Sequence, residues 1–163
     1  MELRKIYEYA LSREYEGKRF FEENAERLKH AAAVQAFKQL ALEEQKHIEF
    51  IQTHLMALEQ GTSGEMKVEQ SLETVEFFSV RALSEGLEQS ITEAMVPDLP
   101  VLRMAYLIER DFAEFYEMAA EKVEGPARDI LLMLSHWERG HERLFKQFHD
   151  KAFTLYMQMP WGG

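Results

Sequence analysis

Two copies of the pattern Glu-x-x-His are the residues of this sequence best suited to chemistry. The first runs from Glu44 to His47 and the second from Glu138 to His141. The i, i+3 spacing places the two side chains of each pattern on the same side of a helix, so both can reach one site. Carboxylate oxygens and imidazole nitrogens suit iron, manganese or zinc, so the patterns indicate a metal site.

Each pattern is preceded by a glutamate within an internal repeat. Residues 14–25 (EYEGKRFFEENA) align with residues 109–120 (ERDFAEFYEMAA), which matches Glu14 with Glu109. The first Glu-x-x-His follows Glu14 at the same distance, to within one residue, as the second follows Glu109. A single Glu-x-x-His is common on acidic helices, whereas a duplicated set of this kind is hard to obtain by accident.

The glutamates of the repeat lie where a helix would bury them. The same-face positions around Glu109 are all apolar or aromatic, namely Leu102, Ala105, Tyr106, Phe112, Ala113, Tyr116, Ala120 and Val123. Glu14 has similar neighbours apart from Lys18, and apolar residues also flank Glu44 and Glu138. With the two histidines, six ionisable side chains are predicted to face the interior.

Buried ionisable groups need compensation. Left unpaired, each would cost several kcal/mol, against a total domain stability of about 5–15 kcal/mol. Two divalent cations would offset four carboxylates, and neutral His47 and His141 would complete the ligand set without adding charge. The sequence therefore predicts two metal ions per chain.

Helix formers dominate the chain, and a few breakers divide it. The breaks are Gly61 to Gly64, Pro97 to Pro100, and Gly125-Pro126, where proline suits the first turn of the next helix. The pattern predicts long helices at about 2–29, 33–59, 99–124 and 126–150, followed by a tail at 151–163.

Residues 60–98 connect two predicted helix pairs, 2–59 and 99–150. Their stretch from Glu69 to Met95 is itself predicted to be helical. Two helical hairpins joined by one long connection is a recognised bundle topology. We therefore predict one all-α domain over residues 1–163, a four-helix bundle with a long, partly helical crossover.

Composition excludes several classes of function. The formal net charge of -10 argues against a nucleic-acid or anionic-membrane partner. The chain has no cysteine, which excludes disulfides, thiolate metal sites and thiol nucleophiles. The N-terminus lacks the apolar run of a signal peptide, and no stretch approaches the ~18 apolar residues of a membrane span. We expect a cytoplasmic protein.

The duplicated ligand set resembles that of the ferritin-like di-iron carboxylate superfamily, and more closely its rubrerythrin-like branch. There, a Glu from each of two helices and a Glu-x-x-His from each of the other two form a dimetal site. The resemblance covers residues 14–50 and 105–145 well and the crossover only loosely. It implies a ferritin-like bundle that holds two iron ions per chain, with manganese or zinc as alternative metals.

The resemblance also implies a role for each ligand. Its first half-site comprises Glu14, Glu44 and His47, and its second comprises Glu109, Glu138 and His141. By analogy, Glu44 and Glu138 would bridge the two metals, and the other two glutamates would be terminal. The sequence alone leaves the bridging pair open.

The chain departs from classical rubrerythrins in two respects. They carry a rubredoxin domain with a four-cysteine iron site, so here electrons would come from a separate donor protein. Their third helix also has an extra glutamate one turn beyond the first ligand, where this chain has Phe112; the matching position in the other half is Gly17. The six-ligand site is in this respect closer to that of bacterioferritin.

Other polar residues near the motifs have competing interpretations. Glu16 and Asp111 are rivals of Glu14 and Glu109, but the face of Glu16 is polar, which predicts exposure. Tyr7, Tyr106 and Tyr116 lie on site-facing stripes, where a phenol could donate a hydrogen bond to a ligand or carry an oxidising equivalent. His54, two turns from His47, could support a ligand or hold a metal in transit. Ordinary packing is the alternative for each.

Three functions fit these observations. The leading hypothesis is a redox di-iron protein, an oxidoreductase that reduces peroxide or O₂ while its bound Fe(II) is oxidised. The second is iron oxidation for storage or delivery, with a homodimer favoured over a 24-subunit shell because the crossover is partly helical. The third is a non-redox helical interaction module with structural metal.

Overall fold

The structure is a computed structural model that describes residues 2–62 and 95–160. Within those ranges it contains no strand. Four α-helices account for most of the described residues, and one 3₁₀ helix, Val96–Asp98, precedes the third of them. Their bounds are α1 Leu3–Ala25, α2 Ala31–Glu59, α3 Leu99–Ala120 and α4 Pro126–Gln158. The predicted all-α four-helix bundle is confirmed.

The helices form two hairpins. α1 packs along α2, and α3 packs along α4. Aromatic side chains join the hairpins: Phe21 of α1 stacks on Phe145 of α4 with ring centroids 5.5 Å apart, and Phe37 of α2 meets the same ring edge-on at 5.2 Å. Such buried aromatic contacts fix the two hairpins against each other.

Apolar side chains form two separate core clusters along the bundle. One contains Phe21, Phe37 and Phe145, and the other contains Ile6, Ile51 and Trp137 among its members. On every helix the predicted ligands fall between the residues of the first cluster and those of the second. The fold thus surrounds one polar layer with two apolar cores.

The helix ends differ from the predicted ones. α1 ends at Ala25 rather than near 29, and α3 ends at Ala120 rather than near 124. α4 continues past 150 to Gln158, into the predicted tail, because no breaker precedes Pro160 and Ala152 is still buried. The predicted helical stretch of the crossover lies outside the described residues, apart from Met95, which is a buried turn residue.

Asp98 ties the start of α3 to the first hairpin. Its carboxylate accepts hydrogen bonds from the backbone N–H groups of Lys29, at 2.9 Å, and His30, at 3.1 Å. Both donors lie in the connection between α1 and α2, and Asp98 itself is buried. Among the helices described here, none is both long and apolar enough to cross a membrane.

Candidate metal centre

The six predicted ligands meet in the middle of the bundle. α1 contributes one, α2 two, α3 one and α4 two. None of them is more than 1% exposed: Glu14, Glu44, His47, Glu109, Glu138 and His141. Each glutamate lies in the apolar stripe of its helix, so folding the amphipathic helices together carries all six side chains inward. The exposed Glu16 and Asp111 remain outside the cluster.

Two overlapping groups of ligand atoms can be drawn within the cluster. Glu14 and His47 complete one group, and Glu109 and His141 complete the other. Within each group the donor atoms lie no more than 4.8 Å from one another. Both groups include Glu44 and Glu138, one from each half of the repeat. The arrangement is therefore two neighbouring positions with a shared pair of carboxylates.

Each histidine directs its Nδ1 atom at the carboxylates. For His47, Nδ1 lies 2.9 Å from an oxygen of Glu138 and 3.2 Å from one of Glu14. For His141, Nδ1 lies 3.2 Å from an oxygen of Glu138 and 3.4 Å from one of Glu109. The two imidazole rings are nearly parallel, with centroids 5.7 Å apart. Nδ1 is thus the nitrogen of both rings that faces the cluster.

Several buried oxygens of the cluster have no hydrogen-bond partner among the described residues. They are both side-chain oxygens of Glu44 and both of Glu109. A buried carboxylate without partners is costly, and divalent cations are a natural partner for several that converge. The donor set of four carboxylates and two imidazoles also matches that of ferritin-like dimetal proteins. On both grounds the residues present fit two metal ions.

The shifted pKa values of the cluster residues also indicate a need for cations. Burial, together with the neighbouring carboxylates of Glu138 and Glu14, raises the pKa of Glu44 well above its ordinary value. Burial and Glu138 do the same to the pKa of Glu109. Burial opposes protonation of His47, but Glu138 and Glu14 outweigh it and raise its pKa. Without metal, the cluster retains protons that would otherwise be lost.

The pKa of Glu138 moves in the opposite direction. Burial disfavours its charged form, but the imidazoles of His47 and His141 outweigh that cost and lower its pKa below the ordinary range. Burial also opposes protonation of His141, whose pKa is nevertheless raised, chiefly by Glu109. Glu138 is therefore the carboxylate of the cluster that lies nearest to both imidazole rings.

Within the described residues, Tyr116 is the only predicted tyrosine that hydrogen-bonds to the cluster. Its hydroxyl donates a hydrogen bond to Oε1 of Glu14, and the side chain is 1% exposed. Burial, and next the charge of Glu14, raise the pKa of this phenol. It therefore remains a neutral hydrogen-bond donor.

The other predicted neighbours lie further away. Tyr7 and His54 have ring centroids 6.3 Å apart and line a cavity of about 140 Å³ near the start of α4. Burial raises the pKa of Tyr7 to about 12 and lowers that of His54. Tyr106 instead packs its ring against His149. In the described ranges, none of these three hydrogen-bonds to the six residues of the cluster.

Gly17 and Phe112 lie against each other beside the cluster. A Cβ atom on Gly17 would come within 2.7 Å of Cε2 of Phe112, and within 3.7 Å of the Glu44 carboxyl carbon. The ring of Phe112, which is 3% exposed, thus fills the space that a side chain at 17 would need. Phe112 is the position at which the sequence comparison expects a glutamate in classical rubrerythrins, and Gly17 is its match in the other half.

Two residues that contact the histidines lie outside the sequence motifs. Glu43 is 5% exposed and lies 3.1 Å from Nε2 of His141, and Trp137 is 4% exposed and stacks on His47. Burial opposes ionisation of Glu43, but the hydrogen bond from His141 lowers its pKa. A signal for Glu43 was available, because its same-face neighbours include Ala36, Leu40, His47 and Phe50.

Comparison with known proteins identifies the family. No curated protein and no solved structure is similar enough to this chain to count as a match. The family model described as Rubrerythrin matches residues 5–149, which includes all six residues of the cluster and most of the chain. The predicted rubrerythrin-like resemblance is thereby confirmed, and the chain belongs to the rubrerythrin family.

Proposed function

We propose that this chain is a di-iron carboxylate protein that reduces hydrogen peroxide, or O₂, at the expense of its bound iron. The observation that supports this most directly is the pair of overlapping ligand groups that share Glu44 and Glu138. Shared carboxylates between two positions are what a dimetal site requires, and a mononuclear site would need only one group. Membership of the rubrerythrin family points to the same chemistry.

In this proposal the six side chains divide by position. Glu44 and Glu138 would be shared by the two metal positions, since they belong to both groups. Glu14 and His47 belong to one metal position, and Glu109 and His141 belong to the other. Four carboxylates offset the charge of two divalent cations, and the histidines add nitrogen ligands without adding charge.

When bound, two Fe²⁺ ions supply one electron each, which together with two protons convert one H₂O₂ into two waters. The protein's own contribution is to hold the ligands and to control access. The two apolar cores restrict water around the cluster. Tyr116 holds a proton on its hydroxyl at Glu14, and Phe112 fills the space beside Gly17.

Three further features complete the proposal. Reduction of the oxidised centre draws on a separate electron donor protein, because this chain has no cysteine to hold a rubredoxin-type iron. The protein acts as a homodimer in the cytoplasm. Iron is the native metal. Manganese or zinc would bind the same oxygen and nitrogen ligands, but zinc has no redox chemistry and would not supply electrons.

The first experiment measures metal content per chain. The purified protein is loaded anaerobically with Fe²⁺, desalted and assayed by elemental analysis. We expect about two irons per chain, and loss of both in the double variant Glu44→Ala/Glu138→Ala. The matched control is Glu16→Ala/Asp111→Ala, which removes two exposed carboxylates from α1 and α3 and should retain both irons. Wild-type protein without iron would refute the proposal.

The second experiment tests the reaction itself. The anaerobic diferrous protein is mixed with H₂O₂ and, separately, with O₂ in a stopped-flow spectrophotometer. Oxidation by H₂O₂ faster than by O₂, and faster than that of free Fe²⁺, supports peroxide reduction. Preference for O₂ with release or mineralisation of the iron would support iron storage or delivery instead. Tightly bound metal that reacts with neither would indicate a structural role.

A further inference from the structure

We propose that Glu43 is a positioning residue that makes the two metal positions unequal. It holds His141 through the nitrogen that faces away from the cluster. The position served by Glu109 and His141 therefore binds a divalent cation more tightly than the position served by Glu14 and His47. This inference rests on the dimetal centre proposed above and concerns the order in which its positions fill.

The asymmetry originates at one position of the repeat. Glu43 directly precedes Glu44, and Trp137 directly precedes Glu138, so the two residues are equivalent in the two halves. Each contacts the histidine that belongs to the other half. A symmetric site would have the same residue type twice, whereas this chain has a carboxylate once and an indole once.

On the Glu43 side, the histidine is held by a hydrogen bond. Nε2–H of His141 donates to Oε2 of Glu43 over 3.1 Å, in a buried setting. In the neutral ring, the form that binds a metal, this bond places the proton on Nε2 and leaves the lone pair on Nδ1, which faces Glu138 and Glu109. The ring is thus already oriented for a cation bound by those carboxylates.

On the Trp137 side, the histidine is packed but not bonded. The rings of His47 and Trp137 stack with centroids 5.0 Å apart and an interplanar angle of 14°. Nε2 of His47 is buried and, within the described part of the chain, has no hydrogen-bond partner. An indole carries a donor and no acceptor, so Trp137 cannot take up the Nε2 proton. Stacking limits tilt of the ring but does not select the tautomer.

This difference matters for metal affinity. A carboxylate that accepts the second ring N–H of a ligating histidine fixes the ring and raises its basicity, and its removal typically weakens metal binding about 10–100-fold. Among the described residues, only the Glu109–His141 position has such a carboxylate. The two cations should therefore bind in two separable steps, with the first at the Glu43-supported position.

The test is anaerobic titration of the metal-free full chain with Co²⁺. Calorimetry and visible absorption monitor the binding. Single variants isolate each position: Glu14→Ala leaves the Glu109–His141 position, and Glu109→Ala leaves the Glu14–His47 position. We expect the Glu14→Ala protein to bind one Co²⁺ about 10–100-fold more tightly than the Glu109→Ala protein. This comparison needs no change at Glu43, so it remains informative if a Glu43 variant does not fold.

Addition of Glu43→Gln to each single variant then assigns the cause. We expect it to weaken Co²⁺ binding about 10–100-fold in the Glu14→Ala background and to have little effect in the Glu109→Ala background. Glu49→Gln, at an exposed position on α2, is the matched control and should change neither affinity. Equal affinities in the two single variants, or equal losses on Glu43→Gln, would overturn the inference. A wild-type chain that binds no Co²⁺ or Fe²⁺ would overturn the proposed dimetal centre with it.

Discussion

The hydroxyl of Tyr116 donates a hydrogen bond to the carboxylate of Glu14, so a side chain on α3 holds a predicted ligand on α1. Both residues are buried, and the contact joins the two hairpins at the level of the candidate metal centre. The phenol is the neutral partner of a charged group, an arrangement that gives stronger hydrogen bonds than two neutral partners do.

The variant Tyr116→Phe should lower the free energy of unfolding of the metal-free protein by about 1–3 kcal/mol, because a buried carboxylate oxygen loses its donor. Urea unfolding followed by circular dichroism measures the change. The control is Tyr15→Phe, since Tyr15 is exposed and its hydroxyl accepts a hydrogen bond from Gln52. Equal stability losses in the two variants would contradict a special role for the buried phenol.

The effect of Gly17→Ala on the free energy of unfolding should depend on the residue at position 112. In the wild-type background the new Cβ meets the Phe112 ring, and overpacking of this kind costs about 1–3 kcal/mol. In a Phe112→Leu background the ring is absent, and alanine should then stabilise the helix by up to about 1 kcal/mol over glycine. Urea unfolding of the four proteins gives the double-mutant cycle, and the same effect in both backgrounds would contradict the packing argument.

Asp98→Ala should destabilise the bundle by about 0.5–1.5 kcal/mol for each hydrogen bond that it loses. The affected donors are the backbone groups of Lys29 and His30, and Asp98 is 2% exposed. Asp98→Asn retains one acceptor oxygen and should lose less. Thermal unfolding of the two variants beside the wild type measures both effects. Similar losses for alanine and asparagine would show that the hydrogen bonds are not the cause.

Metal removal should make stability depend on pH. In the metal-free protein the pKa values of Glu44, Glu109, His47 and His141 are raised above their unfolded values. Groups with a raised pKa stabilise the fold fully below their unfolded pKa and lose that contribution as pH rises through the folded one. The lowered pKa of Glu138 acts only under more acidic conditions.

The Tm of the protein in chelator should therefore fall as pH rises from about 5 to about 8. Added metal should reduce this slope, because cations replace the retained protons. Scanning calorimetry at a series of pH values measures both slopes. The variant Glu44→Gln/Glu109→Gln controls for the general effect of net charge and should show a smaller fall in chelator. A Tm that rises over this interval would contradict the assignment.

Much of the fold could be predicted from the sequence because periodicity and breakers act locally. Glycine at 125 and proline at 126 mark the start of α4 where it is observed. The end of α4 was harder to predict, because the chain from Lys151 to Gln158 contains no breaker and the burial of Ala152 against the bundle is a tertiary effect. Helix ends are in general the least certain part of such predictions.

The site shows the same division between local and tertiary information. The duplicated Glu-x-x-His pattern is visible in the chain, and the structure brings its members together with Glu14 and Glu109. The contacts of Glu43 and Trp137 could not be predicted from spacing, because each reaches a residue on the opposite hairpin. Tyr116 and Tyr106 lie on the same predicted stripe, yet only Tyr116 reaches the cluster, since the stripe spans several turns.

The layer of ligands between two apolar cores has a consequence for cooperativity. Each core packs side chains from all four helices and could melt at its own temperature if the layer between them were weak. Without cations, that layer consists of carboxylates that repel one another or retain protons. Bound metal would cross-link the four helices at their midpoint, so that the two ends of the bundle unfold as one unit.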